Sequence, residues 1–168
     1  MSIINSKGWR FSFDKQATKQ YYEELNDLCQ CDMCRNFYLN VDKIPVDLRI
    51  FLEQFGIDVA KPIEQWSLTA NKENRRVDNT IYYAVNGYAT SPDEDEIEIG
   101  AVTVFVESPK PDDVVKCPEY TPNTEIPEPY FILIISNLWL PWTINSDIDE
   151  CYPDKKPLFR RILGGLNR

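Results

Sequence analysis

Tyr130-Phe131-Ile132-Leu133-Ile134-Ile135-Ser136 contains the longest apolar run of the chain, from Phe131 to Ile135. It falls far short of the about 20 residues that a membrane helix needs. It is also too short for most helices, and its isoleucines favour a pleated strand. The run predicts a buried central strand. Downstream, Leu138 to Ile144 predicts a last strand, demoted to a sheet edge by Pro141. Upstream, Ile97, Ile99, Val102, Val104 and Val106 predict a further strand or hairpin, with a break or bulge near Gly100. Trp66, Leu68 and Ala70 alternate, as do Ile81, Tyr83 and Val85 against Tyr82 and Ala84. Asn86-Gly87 reads either as a tight turn or as an interruption within one longer strand.

Before residue 56 the chain reads as one short strand over 7–13 followed by helical periodicity. Asp14 stands at an N-cap position after an alternating stretch in which Trp9, Phe11 and Phe13 share a face. Ala17, Tyr21, Leu25 and Leu28 then form one apolar stripe. Cys34, Phe37, Tyr38 and Val41 form a second. Leu48, Phe51, Leu52 and Phe55 form a third, with Pro45 suited to its first turn and Gly56 to its C′ position. Helices first and strands afterwards predict an α+β fold: two or three N-terminal helices packed on an antiparallel β-sheet. The 168 residues suit one domain, expected over 1–150, with 151–168 as a basic C-terminal tail.

Composition narrows the function classes. Hydrophobic residues are 43% and charged residues 27%, as in globular domains. The chain has no histidine. This removes Ser–His and Cys–His catalysis, HExxH zinc sites and every His-ligated metal. The net charge is −9 and the pI about 4.6. Such a surface repels phosphate backbones and anionic lipids, so neither nucleic acid nor a membrane is an expected partner. The tail runs against this balance, with Lys155, Lys156, Arg160, Arg161 and Arg168 and no acid after Asp154. It reads as folding back onto the acidic body, or as an amphipathic segment for another partner. Met1 to Ser6 is too short and polar for a secretory signal, and the cysteine count, five, is odd. Both features point to a reduced cytoplasmic setting.

Two stretches read as irregular. Ser91 to Glu98 carries Asp93, Glu94, Asp95, Glu96 and Glu98, a solvated acidic loop without the glycine-centred calcium pattern. Pro109 to Pro129 holds six prolines and reads as a long surface loop or a partner-binding arm. No phosphate-binding loop, dinucleotide fingerprint or nucleophile elbow occurs.

Cys29-Gln30-Cys31-Asp32-Met33-Cys34 is the strongest local signal. Thiolates are soft ligands that suit zinc, copper(I) or iron–sulfur clusters, and a turn entering a helix N-terminus can bring three together. A closed zinc site needs a fourth ligand, for which Cys117, Cys151 and Asp32 are the candidates. There is no second C-x-x-C. The alternatives are free thiols, with Cys34 packed on the apolar stripe, or a reactive thiol made more acidic by Arg35 and the helix end. Among the aromatic residues, Trp66, Tyr83, Trp139 and Trp142 fall on or near strands. They read as core packing, or as an aromatic face for a partner.

Further motifs accompany the cysteines. Cys29-x-Cys31-x-x-Cys34-Arg35-Asn36-Phe37-Tyr38 is followed by Phe51-Leu52-Glu53-Gln54-Phe55-Gly56-Ile57-Asp58 and Lys61-Pro62-x-Glu64. Then come Tyr82-Tyr83-x-Val85-x-Gly87, Glu96-Ile97-Glu98-Ile99-Gly100 and Leu140-Pro141-Trp142. Together, over about residues 9 to 142, they resemble a family of small uncharacterised bacterial proteins. The resemblance implies a bacterial, cytoplasmic protein. It brings no activity and no catalytic residue, but directs attention to Arg35 and Asn36 beside the cysteines. Those two also suit local capping of backbone carbonyls.

The functional expectation is a non-enzymatic binding protein whose acidic surface captures a basic protein partner. Arg35, Asn36, Trp66, Tyr83, Trp139 and Trp142 are its candidate binding residues. The first alternative is a zinc protein using Cys29, Cys31 and Cys34; otherwise no cofactor is expected. The second is a thiol redox protein.

Overall fold

A computed structural model describes residues 1–91, 96–107 and 126–152. Its elements are β1 (Ser2–Ser6), β2 (Trp9–Phe13), α1 (Lys15–Glu24), α2 (Asp32–Leu39) and a 3-10 turn (Val41–Lys43). There follow α3 (Val46–Gln54), β3 (Glu64–Asn71), β4 (Arg76–Thr90), β5 (Glu96–Ile99), β6 (Val102–Glu107), β7 (Tyr130–Pro141) and α4 (Ile148–Cys151). The fold is α+β. Its seven-stranded sheet runs β1-β2-β4-β7-β6-β5, with β3 added on the β4 edge, and every pairing is antiparallel.

Strands lead the chain, which corrects the expected order of helices first. The β1 strand had no periodic signal because it lies at the sheet edge and none of its residues is buried. The central position of the Phe131–Ile135 run agrees with the reading of the sequence: β7 lies between β4 and β6.

The expected separate strand at Leu138 to Ile144 does not exist. Residues up to Pro141 continue β7, and the ladder to β4 slips by one residue between Ile135 and Leu138. Asn137 sits in this bulge with φ +61°. An extra residue in a strand inverts the alternation beyond it. Phe131, Leu133 and Ile135 therefore share the main core with Leu138 and Leu140, although the two sets differ in parity. Ile132 and Ile134 face the opposite side with Ala84 and Ile126. The expected hairpin near Gly100 is present, with Gly100 at φ +62° between β5 and β6.

β4 takes in Asn86 and Gly87 without a turn, so the reading as an interruption within one longer strand is the one observed. One edge of β4 is shared, β3 pairing with its first half and β2 with its last residues. The gap between them is closed by α1. The Tyr22 hydroxyl donates to the Ala84 carbonyl and accepts from the Ala84 N–H, both at 3.0 Å. The Thr18 hydroxyl accepts from the Asn86 N–H at 3.1 Å, and the Asp14 N–H donates to the Asn86 carbonyl at 2.9 Å. Two side chains and one helix-entry amide thus supply the bonds that a neighbouring strand would make. The Asp14 carboxylate caps α1 as expected, accepting from the Gln16 and Ala17 amides at 3.0 Å. The buried face of α1 differs from the expected stripe. Of that stripe Tyr21 and Leu25 pack half-buried against the core, whereas the buried residues are Thr18 and Tyr22, Ala17 is exposed, and Leu28 lies beyond the helix end.

The core is dense in rings. Phe55, just after α3, lies 5.1 Å from Phe11 and 4.9 Å from Phe13, between ring centroids. Leu48, Phe51 and Leu52 are buried on α3. Of the expected acidic loop from Ser91 to Glu98, Glu96 to Glu98 lie in β5, while 92–95, most of the proline-rich segment and the basic cluster from Lys155 lie outside the described residues. Cys151 ends α4 and Tyr152 is buried against Trp142. Among the described residues, no helix is long and apolar enough to cross a membrane.

Asp78 on β4 has a buried Oδ1 without a hydrogen-bond partner. Burial pushes its carboxyl above the ordinary 3.8. The folded chain then holds this proton more tightly than the unfolded chain does, so the group favours the fold in acid. That contribution fades as pH rises above about 4, through the raised value. Asp78→Asn is expected to be more stable than wild type at pH 7 and to lose the advantage near pH 4. Urea unfolding at both values checks this, and equal stability at pH 7 would overturn it.

Candidate metal centre

Cys31 occupies the N-cap of α2 with an extended backbone, φ −65° and ψ 160°, and makes no side-chain cap. Its carbonyl accepts from the Arg35 amide at 2.9 Å, which starts the helix. Three residues on, Cys34 lies in the first turn, so its side chain and that of Cys31 converge at the same end. Cys29 approaches from the connection that follows α1. The three Sγ atoms lie within 4.8 Å of one another. Cys34 is buried, while Cys29 and Cys31 are exposed.

The thiols are not equivalent. The Cys31 backbone N–H, helped by the Cys31 and Cys34 side chains, holds the Cys29 thiol below its ordinary value. Burial pushes the Cys34 thiol far up, and the neighbouring cysteines add to the rise. The Tyr38 phenol is raised by its burial and then by the negative charge of Cys34 and Cys29. Tyr38 therefore faces the same cluster.

The donor set fits a thiophilic metal. Zinc–sulfur bonds of about 2.3 Å at tetrahedral angles put sulfurs about 3.8 Å apart. The cluster needs to close by about 1 Å at most to reach that spacing. A fourth protein ligand is a separate matter. Among the described residues, no further cysteine or carboxylate joins the group. Asp32 instead pairs with Arg35 at 3.5 Å. Cys151 packs with Met33 against the Trp142 and Tyr152 cluster. Its thiol is raised by burial and then by the charge of Asp32. Cys117 lies outside the described residues. Three thiolates with one position left to water is an arrangement that zinc accepts.

Asn36 is fully buried and is not a local cap. Its Nδ2 donates to the Pro141 carbonyl at 2.9 Å, and its Oδ1 accepts from the Thr143 amide at 2.8 Å. Asn40, one turn later, donates to the same carbonyl at 3.2 Å and to the Thr143 hydroxyl at 2.9 Å. Among the described residues no strand pairs with Pro141 on this side, and the two asparagines satisfy its carbonyl. Arg35 is exposed and borders an open groove of about 430 Å³, shared with Asp32, Leu39 and residues 143–146.

The four aromatic candidates do not form one exposed face. Tyr83 is buried, its hydroxyl donating to the Val59 carbonyl at 2.8 Å. Trp142 is buried, with its Nε1 bonded to the Ser146 carbonyl at 3.0 Å. Trp139 is half-buried. Trp66 is 39% exposed, and its Nε1 donates to Glu64 at 2.7 Å. The sequence reading missed Asn40, which has a visible signal: it stands four residues after Asn36, on the same helix face.

No family model, no curated protein and no solved structure matches this chain.

Proposed function

We propose that the protein is a metal-binding protein: a single α+β domain whose N-terminal helices pack on the sheet and which holds zinc through Cys29, Cys31 and Cys34 at the entry to α2. The convergence of the three sulfurs within 4.8 Å carries this reading. Two supporting features accompany it. The soft donor set matches zinc, and the buried Cys34 gives the ion one dry side. Capture of a basic protein retains the net charge of −9 as its support. Two of its four aromatic residues, Tyr83 and Trp142, are in the core, so the cysteine site is the better-supported reading.

The test is elemental analysis of protein purified without chelator, with a free-thiol count beside it. About one zinc per chain is expected. Cys31→Ser replaces an exposed thiol and should lose the metal with the fold intact by circular dichroism. Cobalt(II) in place of zinc should show thiolate-to-metal charge-transfer absorption that the variant lacks. Metal-free protein with all five thiols reactive after unfolding, and no uptake of added zinc or cobalt, overturns the proposal.

A further inference from the structure

We propose that the metal-free triad exchanges with small-molecule disulfides, Cys31 attacking and Cys34 closing a Cys31–Cys34 disulfide. The inference uses the same site but not a bound metal. Its grounds are position and exposure. Cys31 at the N-cap is exposed to any disulfide in solution. Cys34 is 7% exposed, so external reagents meet the exposed Cys31 and Cys29 before it, and of those two it is Cys31 that stands one helical turn from Cys34. The two sulfurs already lie within 4.8 Å. One helical turn separates their Cα atoms by about 5–6 Å, inside the range that a disulfide spans. Cys151 lies outside the group.

The exchange balances without a further reactant. The Cys31 thiolate attacks one sulfur of the disulfide, the S–S bond breaks, and the departing thiolate takes up a proton. A mixed disulfide is left on Cys31. Cys34 then gives up its proton, and its sulfur attacks the Cys31 sulfur and expels the second thiol. The protein is oxidised by two electrons and loses two hydrogens, while the reagent is reduced to two thiols. Zinc held by the three thiolates would block the first step, because the attacking electron pair would be engaged.

Oxidised glutathione on chelator-treated protein provides the test, read by thiol count and peptide mass mapping. The expected result is the loss of two free thiols per chain, no retained glutathione, and a Cys31–Cys34 link. Cys34→Ser combined with Cys29→Ser should instead retain one glutathionyl group on Cys31, since neither neighbouring thiol is left to resolve it. Because Cys34 is buried, circular dichroism must show this variant folded. If it is not, wild-type protein stopped early in the reaction and mapped for the same adduct replaces it. A wild type that accumulates the adduct without closing, or links a different pair, overturns the proposal. Metal content on the same preparation separates the two readings. A link that closes in protein unable to bind zinc removes the metal reading alone. Bound zinc together with no link after chelation removes this one alone.

Discussion

Gly87→Ala is expected to cost about 4 kcal/mol or more, a large part of the about 5–15 kcal/mol that holds a domain folded. A Cβ at this position would meet the Ser12 carbonyl oxygen and come within 2.5 Å of the Phe13 Cα. Both obstacles are backbone, so no rotamer change relieves them. The φ of +144° adds strain for any residue with a side chain, of about 1–3 kcal/mol. Gly87 is the register partner of Phe13, so relief means prising β2 from β4. That would pull Phe11 and Phe13 out of the ring cluster around Phe55. Gly100→Ala is the control. It also has a positive φ, +62°, but nothing lies within 4 Å of the added carbon. Its cost should be about 1 kcal/mol. Urea unfolding of the three proteins measures the difference. A Gly87→Ala midpoint close to that of Gly100→Ala would contradict the argument.

Tyr22→Phe is the second large effect expected, at about 2–5 kcal/mol. The ring volume is kept, so no cavity forms. What is lost is the hydroxyl that serves both the N–H and the carbonyl of Ala84. Tyr22 and Ala84 are 1% and 0% exposed, so water does not replace it. Each orphaned buried group costs about 1–3 kcal/mol. Tyr88→Phe removes a hydroxyl from a ring that is 57% exposed and should change stability by less than about 0.5 kcal/mol. Equal effects of the two substitutions would mean that the α1 side chains do not close the β4 edge.

Much of the sheet was legible because its inward residues are apolar and alternate. Phe11 and Phe13, and Ile81 with Tyr83, could be assigned from spacing alone. So could the face of α3, whose Leu48, Phe51 and Leu52 repeat at helical intervals that run on to Phe55 at its C-cap. The α1 face was legible only in part: Tyr21 and Leu25 pack half-buried against the core, but the fully buried positions are Thr18 and Tyr22, chosen for hydroxyls rather than for apolar area. Hydrophobic spacing points to Ala17 there and is wrong by one residue. The length of β7 was hidden by Asn137, since a bulge inverts the parity on which strand reading depends. At the candidate site, the cysteine spacing revealed the cluster. The partners of Asn36 lie more than a hundred residues away, at Pro141 and Thr143, and no local pattern announces such a pairing.

The asparagine bonds have a mechanical consequence for the cysteines. Asn36 and Asn40 rivet α2 to the end of β7, so Cys34 and Cys31 ride on a helix clamped to the sheet. Cys29 belongs to a different regime. The connection 25–30 has no helix or strand, and its bonds are short-range, such as the Leu28 amide to the Asn26 carbonyl at 3.1 Å. The site is a vice with one jaw clamped to the sheet and one held by short local bonds. An ion held by all three thiolates would draw the strap after α1 toward a stationary anvil, whereas a Cys31–Cys34 bond closes within the anvil itself and leaves the strap where it is.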